Sequence, residues 1–456
     1  IDAGKTLTVN GDLRIHSDAN GTGSFIQNGT LNVGGTTTVE KYLPNNTIYG
    51  WTLSVPVASA DETVFTGTEA LYFYNSSTPG WEQYATGNLS QMTGYVVRFP
   101  TNTTVGFTSA LNNGDMLRDN DLIRSTTPNN YGWNYVGNPY PSPIDWDLVV
   151  GSDNQGFIDG CHLNPSLYIR KSDGSVMTYI PNMTPNNPNR IIPAMQAFWV
   201  HVNINYASAS LELKNAHRVH GANDILKSAN AAVLKLEVER NGESFKDETN
   251  IFFKDDATEL FDDAYDAVKM FSYNQQHPQI YSFDNSNTEF ANNTYPELIA
   301  NRTVALGFKT QISGAFTFTA GDLSGFDNST SIVLEDANTN TFTDLRLQNT
   351  YTFNASTGTD NSRFVLHFNL SATENNAENI TPSNVSIYSF DNAIYIANVS
   401  DENTTVSIYN VLGQNVFSQG LIGNVLNKVT PNLAMGQYVV KVTDKTKITT
   451  QKVYLK

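Results

Sequence analysis

Short runs in which apolar and polar residues alternate recur along almost the whole chain, and they constrain its fold more than any other feature. Between residues 233 and 239 the alternation places Leu234, Leu236 and Val238 on one face of a strand. Turn-forming residues separate this run from similar ones, at 95–99, 250–253, 302–308, 315–319, 332–334, 350–353 and 364–368. The sequence therefore predicts an all-β, multidomain chain, with a single helical pattern at 257–269.

A short repeat occupies residues 1–44. The stretch from Thr6 to Ile15 aligns with the stretch from Thr30 to Val39, an offset of 24 residues. A period of this length is typical of stacked repeat architectures. We interpret the segment as the end of a β-solenoid or β-roll whose array continues upstream of Ile1, where an export signal is also expected; a plain pair of β-hairpins is the alternative.

A longer repeat occupies residues 45–225. Three blocks recur in the same order, and they pair Tyr49-Gly50-Trp51 with Tyr131-Gly132-Trp133, Leu71-Tyr72 with Leu167-Tyr168, and Met92-Thr93-Gly94-Tyr95-Val96-Val97 with Met195-Gln196-Ala197-Phe198-Trp199-Val200. The pattern predicts a β-sandwich with an internal duplication. A second β-sandwich is expected at 226–370, and a linker without apolar periodicity at 371–383.

Charge and cysteine content narrow the classes of partner. The net charge of −17 repels the phosphate backbone of nucleic acids, so no nucleic-acid partner is expected. Charged residues make up only 16% of the chain, against about 25% in typical globular domains. Uncharged polar residues take their place, which suits the solvent-facing side of strands. The single cysteine, Cys161, excludes an intramolecular disulfide and is interpreted as a small buried residue.

Residues 384–456 predict a compact module of seven short strands, at 385–390, 393–397, 405–410, 415–419, 428–429, 436–443 and 447–455. Seven strands in about 70 residues favour an immunoglobulin-like sandwich. Gly413 follows the third strand and permits the positive φ that a tight turn requires. Five lysines, Lys441, Lys445, Lys447, Lys452 and Lys456, make this end basic on an acidic chain; they indicate either recognition or a solvated edge that resists aggregation.

Three blocks of this module resemble the type A sorting domain of type IX secretion in Bacteroidota. They run from Val406 to Phe417, from Gly436 to Val442, and from Lys452 to Lys456 at the end of the sequence given. The residues that carry the resemblance are Val406, Ile408, Tyr409, Asn410, Leu412, Gly413, Gln414, Val416, Gly436, Tyr438, Val440, Lys452 and Lys456.

The resemblance implies a route and a set of partners. Proteins with this domain cross the periplasm and leave through an outer-membrane β-barrel translocon, with a shuttle β-barrel that binds the sorting domain. A sortase-like peptidase then usually removes the domain and can attach the cargo to surface lipopolysaccharide. Cleavage is expected near Ala377–Pro382 in the linker. The regions 45–225 and 226–370 also resemble sandwich modules of Flavobacterium-type surface proteins, which implies no defined activity.

No catalytic motif occurs, so no enzymatic activity and no cofactor are expected. His217 and His220 have a spacing that could share a metal on a helix, but a surface turn is favoured there. The acidic groups Asp115, Asp119 and Asp121, and the pairs Asp255-Asp256 and Asp262-Asp263, could hold Ca²⁺ through loop oxygens; solvated loops are the default. Among five tryptophans, Trp81 is the candidate for stacking on a sugar, whereas Trp51, Trp133 and Trp199 are interpreted as core.

The sequence thus predicts a secreted, adhesin-like or structural surface protein that carries a C-terminal sorting signal. The alternative is a set of glycan-binding modules that accompany a larger polysaccharide-active protein.

Overall fold

The 24-residue repeat at the start of the chain forms two stacked turns of a parallel β-solenoid in the computed structural model. Thr6 to Val9 pair in parallel with Thr30 to Val33, residue for residue at the sequence offset. Leu13 to Ile15 pair in the same way with Thr37 to Val39. The strands of this segment are β1 (Thr6–Val9), β2 (Leu13–Ile15), β3 (Ser17–Asp18), β4 (Gly21–Thr22), β5 (Thr30–Val33) and β6 (Thr37–Leu43).

The structure describes the whole chain apart from residues 46–49, 127–131, 172, 184–187, 222–231, 285, 300, 322, 324, 329, 370–384, 391–392, 398, 400–403, 424–425, 445–446 and 456. The described chain forms two compact units, which comprise Ile1–Ala231 with Phe261–Asn274, and Ala232–Leu260 with Gln275–Lys456. The expected linker at 371–383, and Tyr49 and Tyr131 of the longer repeat, lie outside the described residues.

The longer repeat corresponds to two sets of strands with the same connectivity. The first set contains β7 (Trp51–Leu53), β8 (Ala70–Asn75), β9 (Gly80–Gln83), β10 (Tyr95–Arg98) and β11 (Thr103–Thr108). The second contains β12 (Met116–Ile123), β13 (Trp133–Gly137), β14 (Ile144–Asp145), β15 (Leu167–Arg170), β16 (Val176–Tyr179), β17 (Ile191–Ile192), β18 (Ala197–His201) and β19 (Ser208–Leu213). Each set builds a four-stranded sheet, in the orders β7-β10-β8-β9 and β13-β18-β15-β16. Each is flanked by one antiparallel pair, β6 with β11 and β12 with β19.

Backbone conformation repeats along with topology. Gly50 and Gly132 precede equivalent strands, and both have positive φ, 71° and 77°. Met92 and Met195 precede the central strands β10 and β18, and they too have positive φ, 56° and 61°. Positive φ is uncommon for a residue with a side chain. Its recurrence at matched positions is a structural trace of the duplication that the sequence anchors indicate.

The region from 232 to 369 forms one continuous, nearly closed sheet, which we call the barrel-like domain. Its strands are β20 (Ala232–Arg240), β21 (Lys246–Phe253), β23 (Gln279–Phe283), β24 (Glu289–Tyr295), β25 (Arg302–Thr310), β26 (Gly314–Ala320), β27 (Ser331–Asp336), β28 (Thr341–Asp344), β29 (Thr350–Ala355) and β30 (Gly358–Asn369), while β22 (Ala267–Val268) is a short strand of the intervening segment. The hydrogen-bonded order is β28-β27-β30-β25-β23-β24-β21-β20-β26-β29. The sheet therefore folds over a single core instead of leaving its two layers as separate sheets.

A buried ion pair on the adjacent strands β27 and β30 is hydrogen-bonded to β29, the strand at the other end of this order. Arg363 on β30 donates to both carboxylate oxygens of Asp336 on β27, at 2.9 and 2.7 Å. Tyr351 on β29 donates to the same carboxylate at 2.8 Å, and Arg363 also donates to the carbonyl of Asn354 at 2.8 Å. Burial alone would raise the pKa of Asp336, but the bonds from Arg363 and Tyr351 hold that pKa below its ordinary value.

The C-terminal region forms a two-layered sandwich of seven strands, as predicted. Its strands are β31 (Ser386–Phe390), β32 (Ala393–Ala397), β33 (Thr405–Tyr409), β34 (Asn415–Gly420), β35 (Asn427–Val429), β36 (Gly436–Asp444) and β37 (Lys447–Leu455). The sheets are three-stranded, β31-β32-β35, and four-stranded, β34-β33-β36-β37. Their facing side chains form one core of their own, which contains Ile387, Ile394, Ile396, Val406, Ile408, Val440, Val442, Val453 and Leu455.

The helical expectation at 257–269 is wrong. That segment contains only the short strand β22 and turns, because side chains bond several of the backbone groups that a helix would use. Asn154, for example, donates to the carbonyl of Ala264 at 2.7 Å. The two α-helices among the described residues lie instead in the second half of the duplication, α1 (Trp146–Val150) and α2 (Asn154–Cys161).

Gly132→Ala is expected to lower the free energy of unfolding of the duplicated region by about 2 kcal/mol, the scale of a strained positive φ. An added Cβ would lie 2.7 Å from the carbonyl oxygen of Val202. All five tryptophans lie between residues 51 and 199, so tryptophan fluorescence during urea unfolding reports on this region. Gly160→Ala is the control, since Gly160 lies in α2 with open space around it. Equal midpoints for the two variants would contradict the strain argument.

Candidate functional site on the C-terminal domain

A tight turn between β33 and β34 is held by side-chain hydrogen bonds. The side-chain oxygen of Asn410 accepts from the backbone N–H groups of Leu412 and Gln414, each at 3.0 Å. The Asn410 amide donates to the Gln414 side chain at 2.8 Å, and Gly413 N–H donates to the Asn410 carbonyl at 2.9 Å. Gly413 has φ 78°, as its place in the turn predicted. Asn410, Gly413 and Gln414 together fix the turn's shape.

The fixed turn carries two apolar side chains in solvent. Val411 is 77% exposed and Leu412 is 80% exposed. Val416, next along the edge strand β34, is also exposed. Large apolar side chains clustered on a well-ordered surface mark binding sites more often than scattered ones do. Val411 was not among the predicted site residues, although it lies inside the first sequence block; its position at the tip of the turn distinguishes it from the core residues of that block.

Several predicted motif residues form the core behind this turn. Val406, Ile408 and Val440 are fully buried between the two sheets. Tyr438 packs at the border of the core, and its hydroxyl donates to the carbonyl of Ala434 at 2.8 Å. Gly436 begins β36, where it pairs with Leu455. These five residues hold the fold of the domain and do not form a surface.

The outer face of the four-stranded sheet carries the remaining motif residues. Tyr409, Val439 and Lys452 pair across β33, β36 and β37. In the adjacent row, Ser407 pairs with Lys441. Since Val440 and Val453 point into the core, their neighbours Val439 and Lys452 point outward. Lys456 lies outside the described residues. The presented surface, as we define it, consists of the turn 410–414 and this outer face.

Trp81 lies in an aromatic cluster of the duplicated region. Its ring is half-buried, with edge-on contacts to Tyr74, Tyr135 and Trp199 at centroid distances of 5.3–5.7 Å. Trp199 is buried, whereas Trp51 and Trp133 are half-buried. The partner rings leave only part of the Trp81 surface open. A sugar contact at Trp81 stays a prediction.

The carboxylates proposed for Ca²⁺ are engaged by protein groups. Asp121 pairs with Arg118 at 2.9 Å, and Asp256 pairs with Lys254 at 3.1 Å. Asp115 accepts from the backbone N–H of Asn215 at 2.9 Å. Across the described ranges, no group of three or more His, Cys, Asp or Glu side chains has the arrangement of a metal site. Burial lowers the pKa of His217, whose Nδ1 accepts from the backbone N–H of Lys214.

The seven-stranded C-terminal sandwich follows a passenger of several β domains. Residues 368–456 match the family described as the secretion system C-terminal sorting domain. The chain is thus exported to the outer cell surface or secreted, and its C-terminal domain interacts with the type IX machinery. No helix among the described residues has the length and apolar character needed to cross a membrane.

The passenger defines the particular family. Residues 1–368 match the family described as a domain of unknown function (DUF8693). This match covers most of the 456 residues, and the chain belongs to that family. No match is found among the curated proteins.

Gly413→Val is expected to destabilise the C-terminal domain alone, by about 1–3 kcal/mol, because a β-branched residue at φ 78° is strained. An added Cβ meets nothing within 4 Å, so the cost is conformational and not steric. Faster amide hydrogen exchange in peptides covering 405–420 measures it. Gly420→Val is the matched control, since Gly420 ends strand β34 with equally open space; equal exchange in both variants would refute the turn argument.

Proposed function

We propose that the chain is a non-enzymatic, adhesin-like or structural surface protein, and that the type IX translocon and its shuttle recognise it through the presented surface. The observation that carries the proposal is the stiff turn 410–414. Its hydrogen bonds hold two apolar side chains in water, where they contribute nothing to the core. Such exposure has an unfavourable hydration cost that a partner's apolar pocket would remove.

Preorganisation makes the turn a good recognition element. A flexible loop loses conformational entropy on binding, which weakens the complex, whereas a fixed turn has little left to lose. Lys441 and Lys452 on the adjoining face add positive charge to a chain of net charge −17. Opposite charge on a partner would steer the approach and fix its orientation. The apolar tip would then supply the binding affinity, and the lysines would fix the orientation of the partner.

The passenger supports the structural part of the proposal. Its barrel-like domain has a core of its own, and the duplicated region has two cores, one of which also includes the inner residues of the solenoid turns. After passage, removal of the sorting domain by a sortase-like peptidase and attachment to lipopolysaccharide are further steps of the same proposal. The cleavage site expected in the linker lies outside the described residues.

Glycan binding is the second candidate function, favoured by the half-buried rings of Trp81 and Tyr74 in one cluster. Exposed aromatic faces stack on sugar rings. A glycan array would detect such binding, and Trp81→Ala should abolish it. Trp133→Ala is the control. Since the Trp133 ring packs against Tyr168 and His201, its loss should act only through stability. Signals that persist in a folded Trp81→Ala variant would place the sugar site away from Trp81, and the absence of any signal from the wild-type chain would remove this candidate.

Leu412→Asp is expected to lower the exported fraction about tenfold or more in a bacterium with type IX machinery, because burial of one leucine is worth about 1.5–3 kcal/mol and tenfold is about 1.4 kcal/mol. Immunoblots of medium, cell surface and periplasm measure the fraction. Ile299→Asp is the matched control, since Ile299 is 79% exposed on the barrel-like domain. Deletion of 384–456 should retain the passenger in the periplasm.

Two results would contradict this proposal. Normal amounts of the truncated passenger outside the cell would remove the sorting role of the C-terminal domain. Normal export of Leu412→Asp, with retained export of Ile299→Asp, would leave the sorting role intact but move the recognised surface away from the turn.

A further inference from the structure

Strand β32 of the sorting domain is buried on both of its faces. Ala393, Ile394, Tyr395 and Ile396 are each 0–2% exposed. Ile394 and Ile396 point into the core of the sandwich, so Ala393 and Tyr395 must point the other way. In an isolated sandwich, that second face of a three-stranded sheet would meet water.

The barrel-like domain covers the second face. Ala393 and Tyr395 form a small apolar cluster with Val333 and Phe342, and Leu426 packs against it. The rings of Phe342 and Tyr395 are 4.9 Å apart between centroids. Val333 alternates with Ile332 and Leu334, which belong to the core of the barrel-like domain. Outward residues of one domain thus meet outward residues of the other.

A polar rim accompanies this cluster. Lys428 Nζ lies 4.5 Å from the centroid of the Phe342 ring, a cation–π distance. The same Nζ donates to the side-chain oxygen of Asn340 at 3.2 Å. On the barrel-like side, His367 and Glu335 are 2.7 Å apart, and His367 lies beside Phe342. An apolar centre with a polar rim is the usual anatomy of a specific interface.

We infer that Val333, Phe342 and Asn340 form a seat for the chain's own sorting domain, and that this seat holds the domain with its three-stranded sheet covered and its presented surface open. The seat persists without the covalent linker. The assignment of the open side as the recognised one rests on the function proposed above, whereas the seat itself does not.

The orientation has a consequence for export. Because the covered sheet and the four-stranded sheet are opposite layers of one sandwich, a partner that binds the turn 410–414 need not displace the passenger. A domain tethered only by a linker would sample many orientations, and each wrong orientation would lower the rate of productive binding. The seat removes that loss by a contact between two domains of the same chain, where the effective concentration is high.

The test uses the full chain with a specific protease sequence placed within residues 371–383. After cleavage, gel filtration at micromolar concentration measures how much of the 384–456 fragment elutes with the passenger. The wild-type fragment should remain bound. Phe342→Ala should weaken retention by about tenfold or more, as truncation of a central aromatic contact does. Complete separation of the wild-type fragment after cleavage would overturn the seat.

A pair of charge substitutions distinguishes loss of the contact from unfolding of the variant. Lys428→Glu should weaken retention by about two- to fivefold, the scale of an exposed cation–π contact. Adding Asn340→Lys to Lys428→Glu should restore part of that loss, because the new charges attract. Lys452→Glu, on the opposite sheet, is the control and should leave retention unchanged. If Lys452→Glu weakens retention as much as Lys428→Glu does, or if the double variant is not rescued, the seat is wrong.

The retention experiment and the export experiment can fail independently of each other. Retention lost in Phe342→Ala, with Leu412→Asp exported normally, would support the seat and reject the proposed recognition surface. Wild-type separation after cleavage, with Leu412→Asp blocked in export, would reject the seat and support the recognition surface.

Discussion

An apolar strand face has to be covered by a second layer, and the architecture of this chain follows from how each face is covered. Where strands alternate, one layer suffices: the inner residues of β33 and β36 pack against the three-stranded sheet, and their outer neighbours are polar apart from Val439. Several strands do not alternate, and two of them show how a second face is covered. β18 is buried along its whole length, and so are the described residues of β32. Both have to be covered twice, and both are.

The two strands gain their second cover differently. On β18, Trp199 meets Tyr74 and Trp81, so the cover comes from the other half of the duplication. On β32, Tyr395 meets Phe342, so the cover comes from a neighbouring domain. In each case an aromatic pair fills the gap between layers, where large rings bury much area with few rotatable bonds. An apolar run without alternation therefore indicates a contact beyond the sheet itself.

The sequence predicted the features that depend on local patterns, and it missed those that depend on contacts between distant residues. The 24-residue offset gave the register of β1 on β5, and alternation with turn residues gave all seven strands of the C-terminal domain, because both signals are local. The motif residues Asn410, Gly413 and Gln414 were identified, but their joint role in one turn needed the hydrogen bonds. Helix α2 was missed, since it spans only Asn154–Cys161, two turns that tertiary packing stabilises more than propensity does. The two ends of the strand order are joined by the bonds from Tyr351 to Asp336 and from Arg363 to the carbonyl of Asn354, and no pattern in the sequence marks such contacts.

The run 393–396 was predicted as a strand, but its composition also indicates that both of its faces are buried. A strand inside a two-layered sandwich needs apolar residues at alternate positions only, yet this run is apolar throughout. The extra apolar residues, Ala393 and Tyr395, stabilise a contact between domains and not the sandwich itself. The first sequence block contains the opposite case, since Val411 and Leu412 are apolar but uncovered. Under the two proposals above, both departures from alternation have a role, since one is filled within the chain and the other is left for a partner.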